Sequence, residues 1–427
     1  RLKYLKALLL ITTLISFSAN ALLEVNVVKS KEAAFPIVVA PFEMIGNFDE
    51  DVDLASIIRE NLNRSGQFDA KNTDELFNGV IDFDFYQQLK KDAIVFGKIR
   101  QVSPNVNHAE IYVYDILTKK ALYQKKIAFT NGALRRIAHA ISDKIYFVLL
   151  GQKGAFDTRL SYVTVNDNSS GGRTYRLQIS DSDGFNPRTV VRSSKPILSP
   201  AWSSDQSKLA YVSFKNNRSE VFAITPFQKT KTIKLPKFDG IASSPTWHPN
   251  GESLALTISK KGNKDIYLYN FKSKELKRLT TNSAIDTEAN FSPDGKNIAF
   301  ISNRTGQVQV YIKNLKSGKI KRATFEGRYN AKPVYSPDGN ELALIHRVEK
   351  DYRVALLDIA SRDLTVLTYN KSDESPYFSP NGGMIIYASN KDNRGILSII
   401  SLHNNQIVEL MQKEGELREP TWSNYSN

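Results

Sequence analysis

The residues best suited to chemistry are few and widely separated along this chain. The five histidines are His108, His139, His248, His346 and His403. No two of them lie closer than 31 positions apart, and the chain has no cysteine. Zinc sites that can be recognised in a sequence place two ligands within a few positions, as in H-x-x-x-H, so that one element presents both to the ion. We therefore predict no metal site, no thiol chemistry and no disulfide.

Motifs for nucleophilic catalysis and for cofactors are also missing. The sequence contains no G-x-S-x-G nucleophile elbow, no P-loop and no dinucleotide-binding fingerprint. The sequence therefore predicts no catalytic residue and no cofactor.

One aspartate-rich stretch leaves a further chemistry open. Ser180-Asp181-Ser182-Asp183-Gly184-Phe185 is similar to the S-x-D-x-G-x-x-aromatic turn of sialidase-type propellers, and its carboxylates could hold calcium. Sialidases repeat this turn in several blades, whereas here it occurs once. The alternative is a hairpin turn in which the aspartates accept hydrogen bonds from nearby backbone N–H groups. We favour the hairpin turn.

Three polar pairs stand just before strands that we expect to be innermost in the fold. They are Thr287-Glu288, Asp373-Glu374 and Arg418-Glu419. Carboxylates that converge on a channel mouth could serve acid–base catalysis, and a mouth of mixed charge also suits protein docking. The sequence alone does not arrange them into a catalytic pair.

A repeat of 43 to 45 residues must position these groups. An aromatic residue, a small polar residue and usually Pro-Asp/Asn-Gly recur from Trp202, Trp247, Phe291, Tyr335, Phe378 and Trp422. Each complete unit predicts four strands, which in one unit cover residues 287–291, 297–302, 307–313 and 320–324. A period in the forties with several short strands is typical of β-propeller blades.

One blade is divided between the two ends of the repeat region. Strands predicted at 159–165, 175–179 and 189–191 lack the leading phrase, which occurs instead near the C-terminus as Pro420-Thr421-Trp422-Ser423. We predict that the C-terminal strand completes this blade and closes a six-bladed ring, which removes free sheet edges.

Before the repeats the pattern is mixed. Strands are predicted at 36–40, 93–97, 111–114 and 126–129. Apolar residues from Leu54 to Leu62 follow helical spacing, and Gly66 is a stop. A second helix covers 134–149, with Asn131 as its cap and Gly151 past its end. The predicted fold is an α/β domain, a mixed sheet with two helices, followed by an all-β propeller.

The N-terminus resembles an export signal. Three cations precede an apolar run over 7–17 and an Ala19-Asn20-Ala21 cleavage site. We expect the mature chain to start near Leu22. The net charge of +14 would then fall to +11, and its basic residues are dispersed, so we predict no nucleic-acid partner.

The combined pattern resembles the TolB family, the periplasmic component of the Tol-Pal system of Gram-negative bacteria. The resemblance rests on the α/β domain, the six blades and the linking phrase Gly151-Gln152-Lys153-Gly154-Ala155-Phe156-Asp157-Thr158-Arg159-Leu160-Ser161-Tyr162-Val163. The phrases at 180–186 and 198–203 are also similar to the family's first blades. The domains expected are 1–21 as signal peptide, 22–33 as binding segment, 34–152 as α/β domain and 153–427 as propeller.

The resemblance implies a non-enzymatic, monomeric periplasmic scaffold. It would link the inner-membrane Tol complex, through TolA, to the peptidoglycan-associated lipoprotein Pal, and support outer-membrane integrity and invagination during division. The resemblance further implies other outer-membrane lipoproteins and bacteriocins as partners, and contact with the membrane through partners only.

The resemblance also places two binding sites. The TolA segment corresponds to Leu22, Leu23, Glu24, Val25, Asn26, Val27, Val28, Lys29, Ser30, Lys31, Glu32 and Ala33. The Pal site at the propeller mouth corresponds to Ser199, Ser243, Ser244, Thr287, Glu288, Asn330, Ala331, Asp373, Glu374, Arg418 and Glu419. Two alternatives stay open: a propeller hydrolase or lyase, and a sensor of peptidoglycan fragments or another small ligand.

Overall fold

The computed structural model describes residues 33–48, 52–73, 80–169, 171–227, 231–410 and 415–425. The expected signal peptide and residues 22–32 of the expected TolA segment lie outside these ranges. Residue contacts divide the chain into 1–32 and 33–427, and the description below concerns the second part. Within the described ranges, no helix has the length and apolarity needed to cross a membrane.

A mixed sheet with helices forms the first part of the described chain. Its strands are β1 (Phe35–Val39), β2 (Glu43–Ile45), β3 (Phe68–Lys71), β4 (Ala93–Ser103), β5 (Val106–Asp115) and β6 (Ala121–Phe129). The sheet order is β3-β1-β4-β5-β6, and β2 pairs with β4. β1 is parallel to β3 and β4, whereas β4, β5 and β6 form an antiparallel meander. The predicted mixed α/β sheet is confirmed.

The helices are α1 (Leu54–Arg64), α2 (Phe83–Gln88) and α3 (Leu134–Leu150). The apolar faces of α1 and α3 pack in one core with the sheet, as their helical spacing predicts. α3 ends at Gly151, whose φ of 70° is easily adopted by glycine.

Two predictions about the helices were wrong. The described residues contain three helices rather than two, because the short α2, capped by the carboxylate of Asp82, escaped the sequence pattern. Asn131 does not cap α3. Its side chain instead accepts from Asn107 at 2.8 Å and donates to the carbonyl of Pro104 at 2.7 Å.

Six four-stranded antiparallel sheets follow as propeller blades. Blade one contains β30 (Glu416–Trp422), β7 (Arg159–Asp167), β8 (Arg173–Asp181) and β9 (Arg188–Ser193). Blade two contains β10 (Ile197–Trp202), β11 (Leu209–Ser213), β12 (Glu220–Ile224) and β13 (Thr232–Lys234). Blade three contains β14 (Ile241–Trp247), β15 (Ser253–Lys260), β16 (Asn263–Asn270) and β17 (Leu276–Arg278).

The other three blades have the same plan. Blade four contains β18 (Asp286–Phe291), β19 (Asn297–Ser302), β20 (Gln309–Asn314) and β21 (Ile320–Arg322). Blade five contains β22 (Asn330–Tyr335), β23 (Glu341–Val348), β24 (Asp351–Asp358) and β25 (Leu364–Val366). Blade six contains β26 (Glu374–Phe378), β27 (Met384–Lys391), β28 (Arg394–Ser401) and β29 (Ile407–Leu410).

The C-terminal strand closes the ring, as predicted. β30 pairs with β7, so that Trp422 lies opposite Leu160. The buried indole of Trp422 donates to the Thr158 hydroxyl at 2.8 Å. The hydroxyls of Ser161 and Thr421 are 2.7 Å apart across the same pair of strands. Blade one is therefore joined by packing and hydrogen bonds between residues more than 250 positions apart.

Candidate binding channel

Each innermost strand carries a β-bulge at the same position. The pairing with the second strand of the blade shifts register there in all six blades. The first bulged residue has a left-handed backbone, with φ between 47° and 54°. These six residues, which we call the bulge ring, are Ser199, Ser244, Glu288, Lys332, Ser375 and Glu419. Proline follows the ring residue in five blades, and Ala289 follows it in blade four.

At the bulge, the backbone N–H of the ring residue is taken out of the hydrogen-bond ladder between the strands. In two blades, a glutamate of the preceding blade accepts a hydrogen bond from this N–H. Glu288 accepts from the N–H of Lys332 in the next blade at 3.0 Å. Glu419 accepts in the same way from the N–H of Ser199. The ring is therefore braced from blade to blade, and a buried donor is satisfied at each of these junctions.

A cavity of about 600 Å³ runs along the propeller axis from the bulge ring toward the turns after the innermost strands. Each blade contributes at least three residues to the wall: the ring residue, the proline or alanine that follows it, and the aromatic residue of the repeat. We call the end where the innermost strands begin the leading mouth. The opposite end, where these strands enter their turns, is the turn mouth. The bulge ring separates the leading mouth from the cavity.

The bulge ring is electrostatically asymmetric. The ammonium of Lys332 lies 3.9 Å from the Glu288 carboxylate. Desolvation would lower the pKa of Lys332, but the charges of Glu288, Glu419 and Glu374 outweigh it and raise that pKa. Desolvation raises the pKa of Glu374, and the charge of Glu419 raises it further. Three carboxylates thus act on the one Lys332 ammonium, while Arg418, which also pairs with Glu416, favours the charged form of Glu374. The remaining excess of negative charge suits a cationic group of a partner.

The predicted mouth residues fall on three successive levels of the innermost strands. Four of them belong to the bulge ring: Ser199, Ser244, Glu288 and Glu419. Five lie one residue nearer the leading mouth: Ser243, Thr287, Ala331, Glu374 and Arg418. Two lie a further residue back: Asn330 and Asp373. All eleven therefore gather at the leading mouth or the ring, and their contact with a partner stays a prediction.

Three of these eleven side chains are buried. Asn330 is fully buried and bonded to Nδ1 of His346 at 2.8 Å. Asp373, 2 % exposed, accepts from the hydroxyls of Ser389 at 2.6 Å and Thr368 at 2.5 Å. Ala331 is 2 % exposed. Their burial disfavours direct contact between these side chains and a partner.

Sequence reasoning missed Lys332 and Ser375, the remaining members of the bulge ring. A signal for them was present. Every ring residue lies three positions before the aromatic residue of the repeat, as Lys332 does before Tyr335. In these two blades the prediction named Asn330 and Ala331, and Asp373 and Glu374, which lie one or two positions before the ring residue.

A second polar cluster joins the α/β domain to blade one. His139 on α3 is fully buried, and its Nε2 lies 3.5 Å from a carboxylate oxygen of Asp183 in the turn after β8. Asp183 also pairs with Arg135, and Asp181 pairs with Arg159 at 3.0 Å. The Arg135 guanidinium further stacks on the ring of Phe185, 3.7 Å from its centroid.

His139, Asp181 and Asp183 lie close enough together to suggest metal ligands, but their bonding does not fit a metal ion. The amide nitrogen of Asn61 lies 2.9 Å from Nδ1 of His139, while its oxygen accepts from Arg64 at 3.0 Å. Nδ1 must therefore accept, which leaves the proton on Nε2. With guanidinium groups on both carboxylates, the cluster is an ion-pair network. The stretch from Ser180 to Phe185 is a hairpin turn, as favoured from sequence.

Burial lowers the pKa of His139 to about 4, and the positive charge of Arg64 contributes to this shift. Burial also lowers the pKa of Arg64. His139 is consequently neutral at neutral pH, in agreement with its hydrogen bond from Asn61.

Comparison with known proteins gives one consistent result. The TolB amino-terminal domain profile matches residues 23–122, and the TolB beta propeller domain profile matches residues 146–426. A Tol-Pal system protein TolB from Ruthia magnifica is 57 % identical over 98 % of this chain and 99 % of its own length. The chain belongs to the TolB family. The resemblance recognised in the sequence is confirmed.

More distant relatives extend the match over the whole fold. The Tol-Pal system protein TolB of Alcanivorax borkumensis is 42 % identical over 97 % of this chain and 96 % of its own length. The crystal structure of TolB from Acinetobacter baumannii superimposes with a TM-score of 0.85 at 36 % identity, covering 92 % of this chain and 98 % of that one. The six-bladed propeller with its α/β domain is thus the architecture of the TolB family.

The predicted TolA segment cannot be placed in the same way. Residues 22–32 lie outside the described residues, and only Ala33, which is exposed and precedes β1, is described. Binding of TolA by this segment remains a prediction.

Proposed function

We propose that this protein is a periplasmic, non-enzymatic scaffold of the Tol-Pal system that links TolA to Pal. Family membership carries the proposal, together with the bulge ring at the leading mouth. Its role would be to support outer-membrane integrity and invagination during division. We further propose that the mature chain begins near Leu22, acts as a monomer, and divides into a TolA segment (22–33), an α/β domain (34–152) and a propeller (153–427).

The leading mouth suits a protein partner for a physical reason. Glu374 and Arg418 are exposed there, above the bulge ring, and β-strand pairing holds both in place. Exposed charges on a rigid frame give a partner orientation and specificity. A cationic group of Pal could reach the shared carboxylates of the bulge ring, which would combine a polar rim with a narrow centre.

Calorimetric titration of Pal into the purified protein tests the mouth. Reversing two exposed charges, Glu374→Lys with Arg418→Glu, should weaken Pal binding by roughly tenfold or more, because rim charges are exchanged without loss of packing. The matched control is Glu275→Lys with Lys272→Glu in a turn of blade three, at the opposite end of the propeller. Equal Pal affinities in both variants and the parent would contradict the assigned mouth.

Deletion of residues 22–33 tests the TolA site separately. We expect loss of TolA binding with Pal binding retained. If the two sites are coupled, saturating Pal must change TolA affinity by the same factor as TolA changes Pal affinity. Equal TolA affinity with and without Pal would rule out coupling, and loss of both partners on deletion would mean that the two interfaces are misplaced.

A further inference from the structure

A second cavity lies away from the channel, between blades four and five. It has a volume of about 690 Å³ and is lined by the turn after β18, by β21, and by the turn between β24 and β25. Apolar side chains such as Ile312 and Ile359 contribute to its wall. Its size falls in the range of ligand-binding clefts.

Four cations line this cavity, which we call the basic groove: Lys319, Lys321, Arg322 and Arg362. Among the described residues, none of the four forms an ion pair. Many other basic residues of the propeller are paired, as Arg304 is with Asp286 at 3.0 Å. The groove therefore holds uncompensated positive charge.

Two carboxylates also line the groove, but their turns already use them. Asp294 accepts from the Ser292 hydroxyl at 2.7 Å and from the Lys296 N–H at 3.0 Å, and these bonds lower its pKa to about 2. Asp338 accepts from the Ser336 hydroxyl at 2.6 Å and from the Asn340 N–H at 3.1 Å. Neither carboxylate pairs with a cation of the groove.

An exposed aromatic ring holds the two arginines next to each other. Phe325 is 53 % exposed, and the guanidinium carbons of Arg322 and Arg362 each lie 5.0 Å from its centroid. Stacking on the ring restrains both guanidinium groups. Nε of Arg322 donates to the carbonyl of Thr324 at 2.6 Å, which fixes this guanidinium further and leaves its terminal N–H groups for a ligand. Paired arginines in this arrangement are suited to carboxylates, which they bind in bidentate fashion.

We propose that the basic groove binds an acidic peptide segment of a partner protein, at a site separate from those for TolA and Pal. Clustered arginines and lysines recognise acidic motifs through charge-assisted hydrogen bonds. The position of β21 in the sheet favours a peptide over an acidic saccharide as the ligand. β21 is the outermost strand of blade four, and no described strand pairs with its outer edge, so its backbone can also bond an extended chain.

Fluorescence anisotropy with a labelled hexaglutamate peptide tests the groove. Lys321→Gln with Arg362→Gln should weaken peptide binding by roughly tenfold, because each lost cation removes a charge-assisted contact. The matched control is Lys277→Gln with Lys274→Gln. It removes the same charge from the middle of β17 and the adjacent turn in blade three, outside the groove. The control should bind like the parent.

Three results would overturn the proposal: no measurable hexaglutamate binding by the parent, equal weakening in both double variants, or tighter binding of oligogalacturonate than of hexaglutamate. Circular dichroism and thermal melting verify that both variants fold. Pal and TolA affinities should stay unchanged in the groove variants, so the result is independent of the proposed scaffold function.

Discussion

Asp143 ties the last helix of the α/β domain to the start of the propeller. One of its carboxylate oxygens accepts from the N–H of Phe156 at 2.8 Å, and the other accepts from the N–H of Asp157 at 3.0 Å. A Cβ on Gly154 would lie 2.3 Å from this carboxylate, so glycine is required at that position. A single side chain thus fixes the path of the linking phrase.

The pKa of Asp143 predicts how this contact depends on pH. Burial raises the pKa from 3.8 to about 6, so the folded protein holds the proton more tightly than the unfolded chain. The resulting stabilisation is complete below pH 4 and is lost as the pH rises through 6; it amounts to at most about 3 kcal/mol. Asp143→Asn cannot ionise. The free energy of unfolding of this variant, relative to that of the parent, should therefore increase as the pH rises from 4 to 7.

Melting temperatures of both proteins across this pH range provide the measurement. Asp294→Asn is the control, because the pKa of Asp294 is about 2 and its ionisation is complete above pH 4. A melting-temperature difference between parent and Asp143→Asn that does not change with pH would show that Asp143 keeps an ordinary pKa.

The neutral state of His139 depends on the orientation of one amide. Asn61→Asp should replace the donor to Nδ1 with an acceptor and raise the pKa of His139 from about 4 by at least roughly one unit, since a carboxylate favours the charged imidazole. NMR titration of the imidazole protons measures this. Asn63→Asp adds the same charge to α1 at a residue bonded to Ala70. Equal shifts of the His139 pKa in both variants would show that the contact with Asn61 does not determine the protonation of the imidazole.

At the scale of single elements, the repeat predicts the inner strands better than the outer ones. The second strand of blade four was predicted over 297–302 and is observed as Asn297–Ser302, whereas the third was predicted from 307 and begins at Gln309. Inner strands are packed on both faces and keep a clear apolar pattern. Outer strands are short and exposed, as the Leu276–Arg278 strand is, so their pattern is weak.

The bulge is an element-scale feature that the strand pattern concealed. An alternating pattern assumes period two, but each bulge inserts a residue and shifts the phase by one. Glu288 was placed correctly because it belongs to the polar pair Thr287-Glu288, whereas Lys332 was missed because the prediction stopped at Ala331, one residue earlier. The turn Pro-Asp-Gly was readable from sequence, since it requires only local chemistry.

Backbone conformation at the bulge can be tested with a pair of neighbouring serines. Ser244 has a φ of 47°, which a β-branched residue adopts only with strain, so Ser244→Val should destabilise the protein by about 1–2 kcal/mol. Ser243→Val makes the same change at an ordinary strand position opposite Thr257 and should cost less. Thermal melting compares them, and equal destabilisation would argue against strain at the bulge.

At the scale of the whole molecule, the two ends of the propeller do different things. Alternating strand direction puts the turns after the first and third strands of every blade at one end. The ion-pair cluster with α3 lies at the turn after β8, and the Ser401 hydroxyl donates to the carbonyl of Ser65 at 2.7 Å at the turn after β28. The α/β domain therefore contacts the turn end, and the leading mouth lies at the other.

The sequence predicts the blades but not the contacts between the two domains. The six blades and their closure follow from the repeat, because each unit uses local turns and alternation. The pairing of Arg135 with Asp183 joins positions 48 residues apart in two domains, and no local pattern reports it. The same holds for the basic groove, whose cations come from two separate turns and a strand.

Ring closure makes the strongest prediction for the whole molecule. A chain that stops after Gly415 lacks β30, so it loses the buried Trp422 and exposes the edge of β7 to other chains. We expect this protein to lose its cooperative melting transition and to elute as soluble aggregates in size-exclusion chromatography. A chain that stops after Ser423 keeps all of β30 and should remain monomeric. A synthetic peptide covering 415–427 should restore a monomer to the shorter chain by occupying the vacant strand position. A truncated chain that melts like the parent without the peptide would show that the ring does not depend on its C-terminal strand.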